Sequence, residues 1–184
     1  MRLFFIRAFR AAKLDASLFE EVMADPKAMT QAMIAVFLYS SAVAYGIFGR
    51  AGVARINSAI FITLIGWYIW AFFTYYAATR FFRESQTAIE RLDRKSVIRA
   101  MGFASAPGVF RLLGFIPGLG MVVFVGSTIW MIVSSTIAVK QALNFESPYR
   151  AAAACIIAWI ISAFVQLTLF VVLFQAFGVS GKPY

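Results

Sequence analysis

The sequence predicts an all-α protein, a polytopic bundle of about five transmembrane helices. Of its 184 residues, 62% are hydrophobic and 14% are charged, against roughly 45–50% and about 25% in soluble domains. The apolar residues also gather in charge-free runs of about 20, the length that crosses a bilayer as a helix. These two observations exclude an ordinary soluble enzyme domain.

Little catalytic chemistry is present in the sequence. It contains no histidine and a single cysteine, Cys155, so a zinc, haem or iron–sulfur site cannot be assembled, and we expect no cofactor. All eight acidic residues fall in polar connections, which argues against proton-coupled transport. No nucleophile has a neighbouring base. We therefore expect that the protein is not an enzyme.

Residues 1–27 are amphipathic rather than continuously apolar. Phenylalanine and leucine alternate at about helical spacing with basic residues such as Arg7 and Arg10. The pattern predicts an interfacial helix whose basic side chains face lipid phosphates. We expect a second short helix over about 14–22 on the cytoplasmic surface, with a solvated collar as the alternative.

The membrane domain is expected over residues 28–178, followed by a short tail over 179–184. The second span is rich in aromatic residues, for which packing and lipid anchoring are the ordinary reasons and a ligand cage the alternative. The basic connection over 80–99 carries a partial apolar stripe, so part of it is expected to lie along the membrane surface. The predicted spans are approximately 29–48, 56–79, 96–115, 119–139 and 151–177.

The third predicted span is irregular. Pro107 and Pro117 each remove a backbone donor, and in lipid the freed carbonyls need partners inside the protein. We therefore predict a helix that is kinked or broken at both prolines and packed among its neighbours. Gly108, Gly118 and Gly120 lie beside the prolines and are, with them, the structural and packing candidates.

Arg111 lies near the end of this third span. It either extends to the lipid headgroups, which relieves the cost of burying its charge, or it recruits an anion where a broken helix lines a pathway. The candidates for contact with lipid or with a partner protein are the basic residues of the connection and of this span: Arg83, Arg91, Arg94, Lys95, Arg99 and Arg111.

The distribution of basic residues predicts the orientation. With five spans, the N-terminus, the 80–99 connection and the 140–150 connection share one side and carry five, six and two Lys or Arg residues, whereas the opposite side carries three. The positive-inside rule then places the N-terminus in the cytoplasm and the C-terminus outside. The charge of +9 faces anionic headgroups, and its scatter along the connections disfavours nucleic acid.

Several short segments resemble the Yip family of integral membrane proteins. The resemblance covers about residues 15–175 and implies five spans with a cytoplasmic N-terminus. Founding eukaryotic members interact with Rab-type GTPases and with each other. The compact N-terminal region is more similar to prokaryotic members, which implies the inner (cytoplasmic) membrane. The segments are FEE at 19–21, DP at 25–26, GFASAP at 102–107, IPGLG at 116–120, IW at 129–130, AVKQAL at 138–143 and SPYRA at 147–151.

These observations favour a non-catalytic integral membrane protein that acts through contacts. It would be a scaffold or an accessory subunit of a larger membrane complex, with a membrane-protein partner or a second copy of itself. The alternative is a small transporter or channel that works as an oligomer, in which the broken third span and the hydroxyl-rich fourth span line the pathway. A membrane-embedded enzyme is the least favoured class.

Overall fold

The computed structural model describes residues 1–49, 52–80, 94–143, 145 and 147–177. Throughout this part of the chain the regular structure is helical, in agreement with the all-α prediction. The elements are α1 (Arg2–Ala12), α2 (Ala16–Ala24), α3 (Ala28–Phe48), α4 (Val53–Arg80), α5 (Arg94–Ala104), a 3-10 helix (Ala106–Phe115), α6 (Gly120–Leu143) and α7 (Pro148–Phe177).

Four helices are long and apolar enough to cross a membrane. They match the predicted first, second, fourth and fifth spans, and α4 packs along α7 while α3 packs on both α4 and the 3-10 helix. Large apolar side chains such as Phe61, Met121 and Phe164 point outward, as expected of helices whose outer faces meet lipid. The qualifying segments are Ala28–Phe48, Val53–Arg80, Gly120–Ala142 and Pro148–Leu169.

The third predicted span is two segments rather than one helix. The α-helical pattern ends at Ala104, and Ser105 follows with its hydroxyl donating to the carbonyl of Gly102 at 2.6 Å. Pro107 then lies in the first turn of the 3-10 helix. A backbone N–H at this position would have no acceptor within the helix, so proline costs no hydrogen bond there. The helix therefore changes type just before the first proline.

Pro117 lies in a turn rather than within a helix. The 3-10 helix ends at Phe115, and the backbone N–H of Leu119 donates to the carbonyl of Ile116 at 3.2 Å. Gly118, between them, has a φ of +84°. Proline followed by a glycine at positive φ is the combination that a type II turn requires, so this segment reverses the chain into α6.

Glycines allow the 3-10 helix and α3 to approach closely. A side chain at Gly108 would overlap the ring of Tyr39, and a Cβ at Gly46 would lie 2.1 Å from the carbonyl oxygen of Arg111. Small residues permit this backbone-to-backbone distance between membrane helices. As a consequence, the 3-10 helix presents Arg111 to the interior of the bundle.

The N-terminal helices pack against the bundle instead of lying apart from it. Leu18, Phe19 and Val22 of α2 are fully buried, and α2 contacts α5 and α6. Arg99 of α5 donates to the carbonyl of Val22 at 2.9 Å and to that of Met23. A cation at the last carbonyls of a helix stabilises that helix end.

This arrangement corrects one expectation for the 80–99 connection. Residues 94–99 belong to α5, and Ser96 and Arg99 are buried. Arg99 was expected at a lipid or partner surface, but it lies inside because the unsatisfied carbonyls of α2 need a donor there. Residues 81–93, with Arg83 and Arg91, and the tail over 179–184 lie outside the described residues.

Candidate functional site around Arg111

Arg111 is bound by three hydroxyl groups inside the bundle. Its Nε donates to Ser127 Oγ at 2.9 Å, one terminal nitrogen donates to Tyr39 OH at 3.1 Å, and the other donates to Thr128 Oγ1. The residue is 9% exposed. Extension to the headgroups, one of the two interpretations of this residue, is therefore wrong. We call Arg111, Tyr39, Ser127 and Thr128 the Arg111 cluster.

The hydroxyls of the Arg111 cluster are oriented to accept from a cation. Ser127 and Thr128 each donate to the carbonyl of Phe124, at 3.1 and 2.7 Å, so their lone pairs remain for the guanidinium. The guanidinium carbon also lies 4.5 Å from the centre of the Phe124 ring and 5.3 Å from that of Tyr39. Both ring faces attract a cation.

The charge of Arg111 is not neutralised by a carboxylate among the described residues. The ion pairs in that part of the chain join Arg7 and Arg10 to acidic residues of the N-terminal helices. Removing a cation from water costs several kcal/mol even in real proteins. Hydroxyl dipoles and ring faces offset part of that cost and leave a net positive charge in the interior.

A small cavity of about 30 Å³ adjoins the Arg111 cluster. One side is formed by Tyr39, Thr128 and Arg111 itself. The other side is formed by α4 and α7, where Ser162 Oγ donates to the carbonyl of Gly66 at 2.7 Å and Gln166 Nε2 donates to Ser162 Oγ at 3.0 Å. A water needs about 10–15 Å³ and two to four polar partners, so the cavity is large enough for a water molecule or another small polar species.

Trp67 lines the same cavity with an unpaired donor. The residue is 5% exposed, and its indole Nε1 is buried without a hydrogen-bond partner among the described residues. An orphaned buried donor costs about 1–3 kcal/mol. The neighbouring Trp70, in contrast, donates to the carbonyl of Cys155 at 3.3 Å. The aromatic residues of α4 thus divide between this cavity and the exposed face, where Phe61, Tyr68 and Phe72 lie.

A second charged cluster joins the N-terminal helices, and it corrects the expectation that Arg7 and Arg10 face lipid phosphates. Arg7 of α1 is 4% exposed and donates to Glu21 at 2.9 Å, to Asp25 at 2.9 Å and to Gln31 of α3 at 3.2 Å. The reason is that four acidic residues follow within the next 18 positions of the chain. The side chains that α1 exposes are mainly apolar, namely Leu3, Phe5, Ile6 and Phe9.

Arg10 extends this cluster and shifts the pKa of its partners. It donates to Asp15 at 2.7 Å and also to Glu21. The Arg10 guanidinium, helped by the Ser17 hydroxyl, lowers the pKa of Asp15 from 3.8 to about 2. Hydrogen bonds from Arg10 and Arg7 lower the pKa of Glu21, and one from Arg7 lowers that of Asp25. These carboxylates are therefore held in their charged form.

Acid is expected to release the N-terminal helices from the bundle. Because the folded pKa values are depressed, the stabilisation is complete above the ordinary values of 3.8 and 4.5 and is lost as the pH falls toward about 2. Pepsin cleavage within residues 1–27, normalised to the free peptide, should rise over that interval. Arg10→Gln should flatten the dependence. Equal protection at both ends of the interval would contradict the prediction.

The predicted site residues that the structure describes separate into four groups. Pro107 and Gly108 are buried at the start of the 3-10 helix, where Gly108 lies against Tyr39 of the Arg111 cluster. The turn holds Pro117 and Gly118, and Gly120 opens α6. Arg94 and Lys95 are exposed at the start of α5, with the Arg94 guanidinium 5.8 Å from the Tyr75 ring centre. Arg99 and Arg111 are buried.

Several cavity residues were not singled out from the sequence. Tyr39 comes from α3, whereas Ser162 and Gln166 come from α7, so they meet only in the folded bundle. Gln166 could have been identified from the sequence, because an amide in the apolar run of the last span needs a polar partner. Among the described residues no three His, Cys, Asp or Glu side chains form a group that could hold a metal ion.

The apolar helices and the polar cluster enclosed between them define a polytopic integral membrane protein. A family model for the Yip1 domain matches residues 15–170, most of the chain. The protein belongs to the Yip1-domain family, which confirms the resemblance and its extent. No curated protein and no solved structure matches the chain at a significant level.

Proposed function

We propose that the protein is a non-catalytic membrane protein that acts through contacts, as a scaffold or accessory subunit of a larger membrane complex. The observation that carries the proposal is the use of its interior polar groups to join helices. Arg111 links the 3-10 helix to α3 and α6, Trp70 links α4 to α7, and Arg99 links α5 to α2. Polar side chains that form hydrogen bonds between helices in this way make a fold more rigid.

The N-terminal helices are tied to the bundle by the same means. The Trp130 indole of α6 donates to the carbonyl of Ala12 at 2.9 Å, and the Phe110 ring stacks on Trp130 with centres 5.4 Å apart. Arg7 adds its bonds to α2 and α3. This leaves the apolar face of α1, around Phe5 and Phe9, directed away from the bundle, toward lipid or another protein.

The proposal includes five crossings with a cytoplasmic N-terminus. Residues 94–104 as an α-helix and 106–115 as a 3-10 helix extend about 36 Å, at about 1.5 and 2.0 Å per residue, against roughly 30 Å of hydrocarbon. Gly102 lies at Ala32 and Gly114 at Gly46, so this segment runs parallel to α3. The basic ends, including exposed Arg94 and Lys95, then face the anionic leaflet of a prokaryotic cytoplasmic membrane.

Native mass in mild detergent, with companions identified, tests the scaffold role. We expect recovery in a complex of fixed composition. A photoreactive residue at Met121 or Phe164, which are 81% and 71% exposed, should capture a companion, whereas one at fully buried Met101 should not. Recovery as a single copy that cross-links only to lipid would contradict the proposal.

The polar cavity beside Arg111 favours a second candidate, a small oligomeric transporter or channel. In that case the 3-10 helix and the hydroxyl-rich α6 line the route. Loss of Arg111 would abolish flux through reconstituted vesicles without releasing companions, whereas in a scaffold the same change loosens assembly.

A further inference from the structure

The cavity beside Arg111 is lined by an excess of hydrogen-bond donors. Arginine has five N–H groups. Each of the three guanidinium nitrogens of Arg111 donates one hydrogen bond, to Ser127, Tyr39 or Thr128. Two N–H groups therefore remain without a partner among the described residues. The Trp67 indole N–H, buried and unpaired, is a third. A guest that satisfies them must accept hydrogen bonds.

The charge at the cavity selects among acceptors. Water accepts from these donors but leaves the guanidinium unneutralised. The described acidic residues lie in or at the ends of α2, where Asp15, Glu21 and Asp25 pair with Arg7 or Arg10. An anion supplies both the acceptor and the missing charge, and electrostatic attraction is strong where water is excluded.

The size of the cavity limits the anion. Its volume of about 30 Å³ exceeds the roughly 10–15 Å³ that one water needs but is small for an oxyanion with four oxygens. We propose that a monatomic anion of the chloride class binds between the Arg111 guanidinium and the Trp67 indole N–H. The site joins the 3-10 helix to α4, so anion binding stabilises the helix arrangement whether or not the anion is transported.

Halide titration of the purified protein tests the site. Chloride replaces gluconate at constant ionic strength, and unfolding temperature and tryptophan emission are followed together. Three of the four tryptophans, Trp67, Trp70 and Trp159, line the cavity, so emission should change saturably. If the Kd is about 10 mM, 100 mM chloride raises the folded-to-unfolded ratio about tenfold. Sulfate should have no such effect.

Two variants and one control test whether the response to chloride arises at this cavity. Arg111→Gln removes the charge and should abolish the chloride response. Trp67→Phe keeps an aromatic ring but removes the donor, and should weaken chloride binding about tenfold. This variant tests the anion site even if Arg111→Gln does not fold. Trp130→Phe loses an indole N–H that bonds to Ala12, outside the cavity lining, and should respond like the wild type.

Three results would each overturn the site. The first is a wild-type response to chloride no larger than that to gluconate, which leaves water as the guest. The second is an equal response to sulfate and chloride, which indicates a general salt effect. The third is a Trp67→Phe variant whose affinity for chloride equals that of the wild type and of Trp130→Phe.

Discussion

Gly46→Ala is expected to destabilise the protein by about 3 kcal/mol, at the upper end of the range for overpacked interiors. The new Cβ would lie 2.1 Å from the carbonyl oxygen of Arg111 and 3.1 Å from its carbonyl carbon. These are backbone atoms, which cannot rotate away as a side chain can. The gain of about 1 kcal/mol in helix propensity is too small to compensate. The 3-10 helix must move, and the Arg111 cluster moves with it.

Gly126→Ala is the matched control. Gly126 lies within α6, and a Cβ there meets nothing within 4 Å, so this variant keeps the propensity gain without the clash. Thermal unfolding in detergent measures both. A loss of about 3 kcal/mol lowers the unfolding temperature of a chain of this size by roughly 6–12 °C. Equal unfolding temperatures for the two variants would show that the close approach of α3 and the 3-10 helix is absent.

Arg7→Met is expected to detach the N-terminal helices at a cost of about 3 kcal/mol. Arg7 makes three hydrogen bonds from a nearly buried position, to Glu21, Asp25 and Gln31, and two of these are to carboxylates. Methionine fills part of the space but leaves the partners without their donor. Leaving partly buried acceptors unpaired costs about 1–3 kcal/mol each, less where water reaches them.

Amide hydrogen exchange measures this detachment directly. Protection of residues 2–24 should fall about 100-fold, since each tenfold corresponds to about 1.4 kcal/mol, while protection of α4 and α7 stays unchanged. Arg2→Met is the control, because Arg2 is exposed at the start of α1. If Arg2→Met and Arg7→Met exchange alike, the buried role of Arg7 is wrong.

The apolar spans were predictable because the signal is local. A run of about 20 apolar residues without charge needs a lipid environment wherever its neighbours lie. Predicted spans at 29–48 and 56–79 therefore correspond to α3 (Ala28–Phe48) and α4 (Val53–Arg80) within three residues at each end. Irregularity near Pro107 and Pro117 was predictable for the same reason, since proline lacks a backbone donor in any context.

The places of the arginines were not predictable, because each depends on partners distant in sequence. Arg99 bonds to carbonyls 76 and 77 positions away, and Arg111 to a tyrosine 72 positions away. From the sequence, Arg99 was expected at a lipid or partner surface, the usual location of a basic residue beside a span. Arg111 was expected either at the lipid headgroups or on a pathway where it recruits an anion. Hydropathy does not say which buried carbonyl or hydroxyl group will need a donor.

The sequence by itself determined the helical class, the membrane setting and the family, because composition, run length and short motifs need no partner to be read. Only the tertiary structure decided that Arg111 turns inward and meets Trp67 across a cavity. The physical reason is the close approach that Gly46 and Gly108 allow, which sets the 3-10 helix against α3 and leaves a cation where lipid cannot solvate it.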